Sequence, residues 1–106
     1  MFALAKRTNV RYNKFVGDNM KAVSRPIDTI VVFRGGSKPL PYKFKYTDPD
    51  GTSTEVLVGR ILIAEKQKVA GRQIFVYDCQ SSISGRERRY QLKYHVDDQR
   101  WEIYKM

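Results

Sequence analysis

The chain has 106 residues, enough for one domain with a single modest core. It is 42% hydrophobic, 12% aromatic and 29% charged, the profile of a folded globular protein and not of a disordered one. The net charge of +9 favours polyanionic partners as a class, and no apolar run approaches the roughly 20 residues that span a bilayer, so no membrane partner is expected.

Residues 1–19 are basic, carry +3 of the charge and show no alternating pattern. They lack the apolar stretch of about 7–15 residues that marks a secretory signal. They are expected to be a dispensable basic tail, with a single β domain over 20–106. A coding argument points the same way. Gly17-Asp18-Asn19-Met20 is encoded GGN-GAY-AAY-ATG, and with A as the free base this sets GGAGAY, which looks like a ribosome-binding sequence, ahead of a start codon. On that reading the functional protein begins at Met20 and carries +6. The rival is a helix or added strand built from Phe2, Leu4, Val10, Tyr12 and Phe15.

Strand patterning starts near Ile27. The run IDTIVVFR, 27–34, is β-branched and apolar, and RGGSKPLP, 34–41, breaks it with two Gly and two Pro. In YKFKYT the aromatics Tyr42, Phe44 and Tyr46 alternate with Lys43 and Lys45, the mark of a half-buried strand. Asp48-Pro49-Asp50-Gly51 then supplies turn chemistry, Gly51 giving the positive φ of a G1 bulge. A loop at 49–51 sets Tyr46 against Thr54, Phe44 against Val56 and Tyr42 against Val58. A slip by one residue would set Phe44 against Glu55. Residues 59–71 fit either a short helix ending at Gly71 or a strand running to about Lys68 and turning at Ala70-Gly71; the strand is favoured.

From Gln73 the pattern sharpens. A two-residue turn at Ser84-Gly85 pairs Cys79 with Tyr90, Tyr77 with Leu92 and Phe75 with Tyr94. A turn at Asp97-Asp98, or a four-residue loop there, pairs Tyr94 with Trp101 and Leu92 with Ile103. Phe75, Tyr77, Cys79, Tyr90, Leu92, Tyr94, Val96, Trp101 and Ile103 then share one face. Aromatics on a face with aliphatics predict a core. Arg89, Gln91, Lys93, His95, Glu102 and Tyr104 fall on the other face, which reads as solvated. The expected fold is all-β: a small antiparallel meander of five or six strands, as a curled sheet or a small SH3-like or OB-like barrel.

The runs Cys79-Gln80-Ser81, Tyr90-Gln91-Leu92-Lys93-Tyr94 and Trp101-Glu102-Ile103-Tyr104-Lys105 resemble those of uncharacterised small bacterial β-rich proteins. The resemblance covers about 39–106 and carries no activity, so it transfers no functional residue.

Chemistry-bearing residues are few. One Cys and one His cannot make a four-ligand zinc site, and no cofactor is expected. Cys79 shares a face with Phe75 and Tyr77 and reads as a small buried hydrophobe; a reducing, cytoplasmic setting fits it. His95 has no nucleophile partner placed by sequence, and Asp97-Asp98 reads as turn chemistry, so the chain is expected not to be an enzyme. The loop Arg34, Gly35, Gly36, Ser37, Lys38 lacks phosphate-loop spacing, yet its amides between two cations are a candidate anion site. For nucleic acid or another polyanion, the candidate cations are Lys43, Lys45, Arg60, Arg86, Arg88, Arg89 and Lys93, with Tyr104 and Phe33 as outward aromatics. The competing expectation is a protein-interaction module that uses a strand edge or the 34–41 loop.

Overall fold

The computed structural model describes residues 20–106. They form eight strands: β1 Ala22–Pro26, β2 Asp28–Val32, β3 Leu40–Thr47, β4 Ser53–Leu57, β5 Arg60–Val69, β6 Arg72–Ile83, β7 Arg86–His95 and β8 Arg100–Lys105. No helix occurs among the described residues, and none is long and apolar enough to cross a membrane. The expectations for residues 1–19 lie outside this range.

The described residues are all-β, as expected, but with eight strands and two antiparallel sheets. One sheet has five strands in the order β1-β8-β7-β6-β5; the other has three in the order β2-β3-β4. This corrects the single meander of five or six strands, and the sheets do not close into a barrel. Two corners join them. The chain leaves the large sheet at Ile27, whose N–H donates to the Trp101 carbonyl at 3.2 Å, and enters the small one at Asp28. Pro26 has no N–H to donate, so a ladder ends naturally beside it. The return corner lies between Leu57 and Arg60. There a Cβ on Gly59 would stand 3.0 Å from the Gln80 carbonyl oxygen, a tight backbone approach that favours glycine.

Local irregularities explain the strand count. β1 slips register between Ala22 and Arg25, with Ser24 at φ 46°, so a bulge hides its alternation. β5 slips between Ile61 and Ile63, which turns an alternating strand into the continuous run Ile61-Leu62-Ile63-Ala64. The stretch 59–71 is nonetheless a strand and a two-residue turn, with Ala70 at φ 51° and Gly71 at φ 79°.

The hairpin registers match the sequence reading. Phe44 faces Val56 and Tyr46 faces Thr54. Cys79 faces Tyr90, Tyr77 faces Leu92 and Phe75 faces Tyr94 across a turn with Ser84 and Gly85 both at positive φ. Leu92 faces Ile103 and Tyr94 faces Trp101 across the four-residue loop 96–99. A third bulge, on β3, breaks one expectation. Ile30 pairs with Lys43 but Val31 pairs with Pro41, so Tyr42 leaves the alternation and is 54% exposed.

The core lies between the sheets. Tyr77, Cys79, Ile83, Tyr90, Leu92, Trp101 and Ile103 of the large sheet pack with Phe44 and Val56 of the small one. Trp101 stacks on Tyr94 at 4.8 Å and leans on Tyr77 at 5.4 Å, while Phe44 meets Tyr90 edge-on at 5.3 Å. Buried hydroxyls tie the corners down. The Tyr77 hydroxyl donates to the Pro39 carbonyl. Ser81 Oγ accepts the Gly59 N–H at 3.0 Å and shares a 2.5 Å hydrogen bond with the Tyr90 hydroxyl. Burial pushes both tyrosine hydroxyls well above their ordinary pKa.

The outward face of the large sheet is not the solvated side the alternation predicts. Ile74, Val76 and Asp78 are buried there, outside the main core cluster. Gln91 donates to Asp78 Oδ1 at 2.8 Å, and His95 Nε2 donates to Glu102 Oε2 at 2.6 Å. β6 is flanked on both sides, and long neighbours such as Glu65, Lys93 and Gln91 lie beside it across β5 and β7; their aliphatic stems cover apolar surface.

Candidate anion-binding cleft

Strand parity decides which way each cation faces. On β7, Arg88 shares the inward parity of Tyr90 and Leu92, but it stands at the strand's outer end, opposite Ser81. Its exposed side chain therefore borders the seam between the sheets. β1 brings Lys21, Val23 and Arg25 to the same place, because Lys21 and Met106 exchange two backbone hydrogen bonds of 3.0 Å and Arg25 pairs with Ile103. The small sheet supplies Tyr46 and the turn residue Asp48.

The result is a cleft of about 350 Å³ lined by Lys21, Val23, Arg25, Tyr46, Asp48, Arg88, Ile103 and Met106. Three cations, Lys21 just before β1, Arg25 on β1 and Arg88 on β7, line it together with one carboxylate. Arg25 Nη1 meets Asp48 Oδ1 at 3.3 Å, while among the described residues Lys21 and Arg88 form no ion pair. Val23, Ile103 and Met106 give an apolar floor continuous with the core. The ring of Tyr46 lies 6.2 Å from Phe44 at 32°, so the core backs it. The arrangement offers fixed positive charge, an aromatic wall and an apolar base, which suits an anion that carries a planar or apolar body.

The other sequence candidates are spread over separate surfaces. Lys43 and Lys45 stand on the outward face of the small sheet. There Lys43 pairs with Glu55 at 3.0 Å, and its hydrogen bond and charge hold the Glu55 carboxyl below its ordinary value. Lys45 sits across from Asp28 and Glu55. These residues, with Thr29, Ile30 and Phe44, border a second, shallower groove of about 240 Å³. Arg60 and Arg89 flank Gln80 on the large sheet's outward face, with Arg89 on the opposite side of β7 from Arg88. Arg86 is exposed beside the Ser84-Gly85 turn. Lys93 lies over the Tyr104 ring at 3.5 Å from its centroid, and Lys105 stands at 5.7 Å, so cations already occupy that ring. Phe33 is 69% exposed.

The loop Arg34–Lys38 is fully exposed and forms a tight turn: the Ser37 N–H donates to the Arg34 carbonyl at 3.1 Å, with Gly36 at φ 75°. That amide is spent within the turn and does not face outward as an anion donor.

Burial, with a smaller contribution from the Asp78 charge, pushes the Cys79 thiol far above its ordinary pKa, so no thiolate nucleophile is available there. No cluster of His, Cys, Asp and Glu that could hold a metal occurs among the described residues.

Sequence reasoning named Arg88 but missed Lys21, Arg25 and Asp48 as its companions. A signal for Arg88 did exist: counting back by two from Tyr90 puts a cation on the core face at a strand end. Arg25 lies in a stretch whose Ser-Arg-Pro composition and bulge conceal a strand. No family model matches the chain, and no match occurs among curated proteins or solved structures.

Proposed function

We propose that this protein is a non-catalytic binding module for a polyanion, with single-stranded nucleic acid as the ligand class. The observation that carries the reading is the convergence of Lys21, Arg25 and Arg88 beside Tyr46 in the seam between the sheets. Cations that track phosphates, next to an aromatic platform, are the working parts of sequence-tolerant single-strand binding. The cleft is near the lower end of the roughly 300–1,000 Å³ range of small-ligand pockets, a size for about one nucleotide and not for a duplex. The net charge of +9 supplies long-range attraction. A cytoplasmic setting fits a chain whose single cysteine is a buried free thiol.

The test is fluorescence anisotropy on a labelled oligothymidylate of about 16 nucleotides. Binding falls steeply with salt, with log affinity linear in log salt and a slope near −0.7 for each phosphate contacted. Arg88→Gln weakens binding severalfold and makes the slope shallower, whereas Lys45→Gln, the same loss of charge away from the cleft, changes it little. Equal losses in the two variants contradict the cleft as the site, and no binding at tens of micromolar contradicts the function.

A second reading has its own observation. Ile30 and Leu57, at 60% and 56% exposure, flank Lys43 on the outward face of the small sheet. An apolar, unprotected face beside the edge strand β2 suits contact with another protein. Loss of that contact on Ile30→Lys, with oligonucleotide binding unchanged, would separate it from the first reading.

A further inference from the structure

Two aspartates of one turn differ in what they do. Asp48 and Asp50 both belong to the β3–β4 hairpin. The Asp50 carboxylate accepts the Thr52 N–H at 2.9 Å, a bond that lowers its pKa, and it makes no ion pair among the described residues. It braces the turn. Asp48 braces the turn with its backbone alone: its N–H donates to the Thr52 carbonyl at 2.8 Å and its carbonyl accepts the Gly51 N–H at 2.9 Å. Its carboxylate is left over, and it crosses the seam to Arg25 on the other sheet.

We infer that Asp48 is a built-in competitor for the anion seat of the cleft, holding Arg25 until a phosphate of a single-stranded nucleic acid displaces it. This rests on the polyanion reading above. The contact has the form of a placeholder. It uses one guanidinium nitrogen at 3.3 Å, longer than the 2.7–2.9 Å typical of a charge-assisted hydrogen bond. A guanidinium presents five N–H donors in a planar fork, and a phosphate can take two of them in parallel. The incoming group thus offers Arg25 a better-matched partner than the one it leaves. Arg88 and Lys21, which form no ion pair among the described residues, line the same cleft and receive the rest of the anion's charge. Asp48 thereby sets an affinity threshold: weakly charged or monovalent anions do not displace it, while a phosphodiester chain, anchored at several points, does.

Charge-matched variants test this. Asp48→Asn and Asp50→Asn each remove one negative charge from the same turn, and each keeps a side-chain oxygen suited to turn geometry. Binding of the labelled oligothymidylate is measured at several salt concentrations in the full chain. Asp48→Asn tightens binding about two- to fivefold, the loss of one exposed ion pair, and steepens the salt slope. Asp50→Asn changes both little. In an Arg25→Gln background the gain from Asp48→Asn disappears, because the residue acts through Arg25. Thermal melts within a degree or two of one another confirm that folding is common to all five proteins, the unmodified chain and its four variants. Equal gains for the two Asn variants, or a gain that survives Arg25→Gln, would overturn the role of Asp48 and leave the cleft intact. An unmodified chain that fails to bind overturns the cleft and the competitor together.

Discussion

The two outward faces of this molecule have reversed characters. On the large sheet, the face written in Glu, Asp, Gln, Lys and His holds Asp78 at 4% exposure, with Ile74 and Val76 buried beside it. On the small sheet, the face written with Ile30, Val32 and Leu57 stands open. Residue type alone would assign them the other way round. The number of flanking strands accounts for the difference. β6 and β7 are interior strands of five, so side chains from both neighbours flank their central positions. The small sheet has one interior strand, and its two edges bring neighbours from one side only. A side chain is covered by what stands beside it, and two extra strands outweigh polarity.

Three predictions bear on that comparison, from the largest effect to the smallest. Both faces depend on the shared core, so Trp101→Ala should cost about 3–5 kcal/mol. At about 4–8 °C per kcal/mol, the melting temperature should fall by more than 10 °C. A melt unchanged within a degree or two would mean that Trp101 supports neither sheet.

The sharpest break is one replacement made on both faces. Val76→Thr buries a hydroxyl with no partner assigned to it and should cost about 1–3 kcal/mol. Ile30→Thr, on the open face, should stay within about 0.5 kcal/mol. Urea denaturation of both variants checks this. Similar values would abolish the distinction between the faces.

Asp78 sharpens it through pH. Burial raises its pKa, assisted by the Glu65 charge, while the Gln91 hydrogen bond and Lys105 oppose the shift. The folded protein therefore holds this proton more tightly than the unfolded chain does. The contribution of Asp78 to stability is greatest below the ordinary carboxylate pKa of 3.8 and falls as pH rises from there through the raised folded value. Asp78→Asn removes that loss, so the variant should be more stable than the parent at pH 7, with the gap closing towards pH 3. A variant less stable at pH 7 would show that the charge is better compensated than its burial implies.

Legibility in the sequence followed regularity. The hairpins β3–β4 and β6–β7 pair in unbroken register and β7–β8 slips only between Gln91 and Leu92, so with their decisive turns most of their register and core follow from the letters. What was hidden lay at bulges. Ser24, Tyr42 and Leu62 each add a residue that shifts the parity, so β1 lay before the expected start of strand patterning near Ile27, Tyr42 passed for a half-buried residue and β5 for a possible helix. The cleft was hidden for another reason. Lys21, Arg25, Asp48 and Arg88 come from distant parts of the chain, and only the pairing of β1 with β8 and the corner at Ile27 bring them together. Local periodicity carries no information about that closure.

The central claim, that single-stranded nucleic acid occupies the seam between the sheets, is tested most directly by the backbone amide spectrum of the ¹⁵N-labelled protein titrated with oligothymidylate. The account predicts progressive shifts at Lys21, Arg25, Tyr46, Asp48, Arg88 and Ile103, with Ile30, Lys45 and Leu57 unmoved. Shifts confined to Ile30, Lys43, Lys45 and Leu57, or spread evenly over all exposed lysines and arginines, would contradict it.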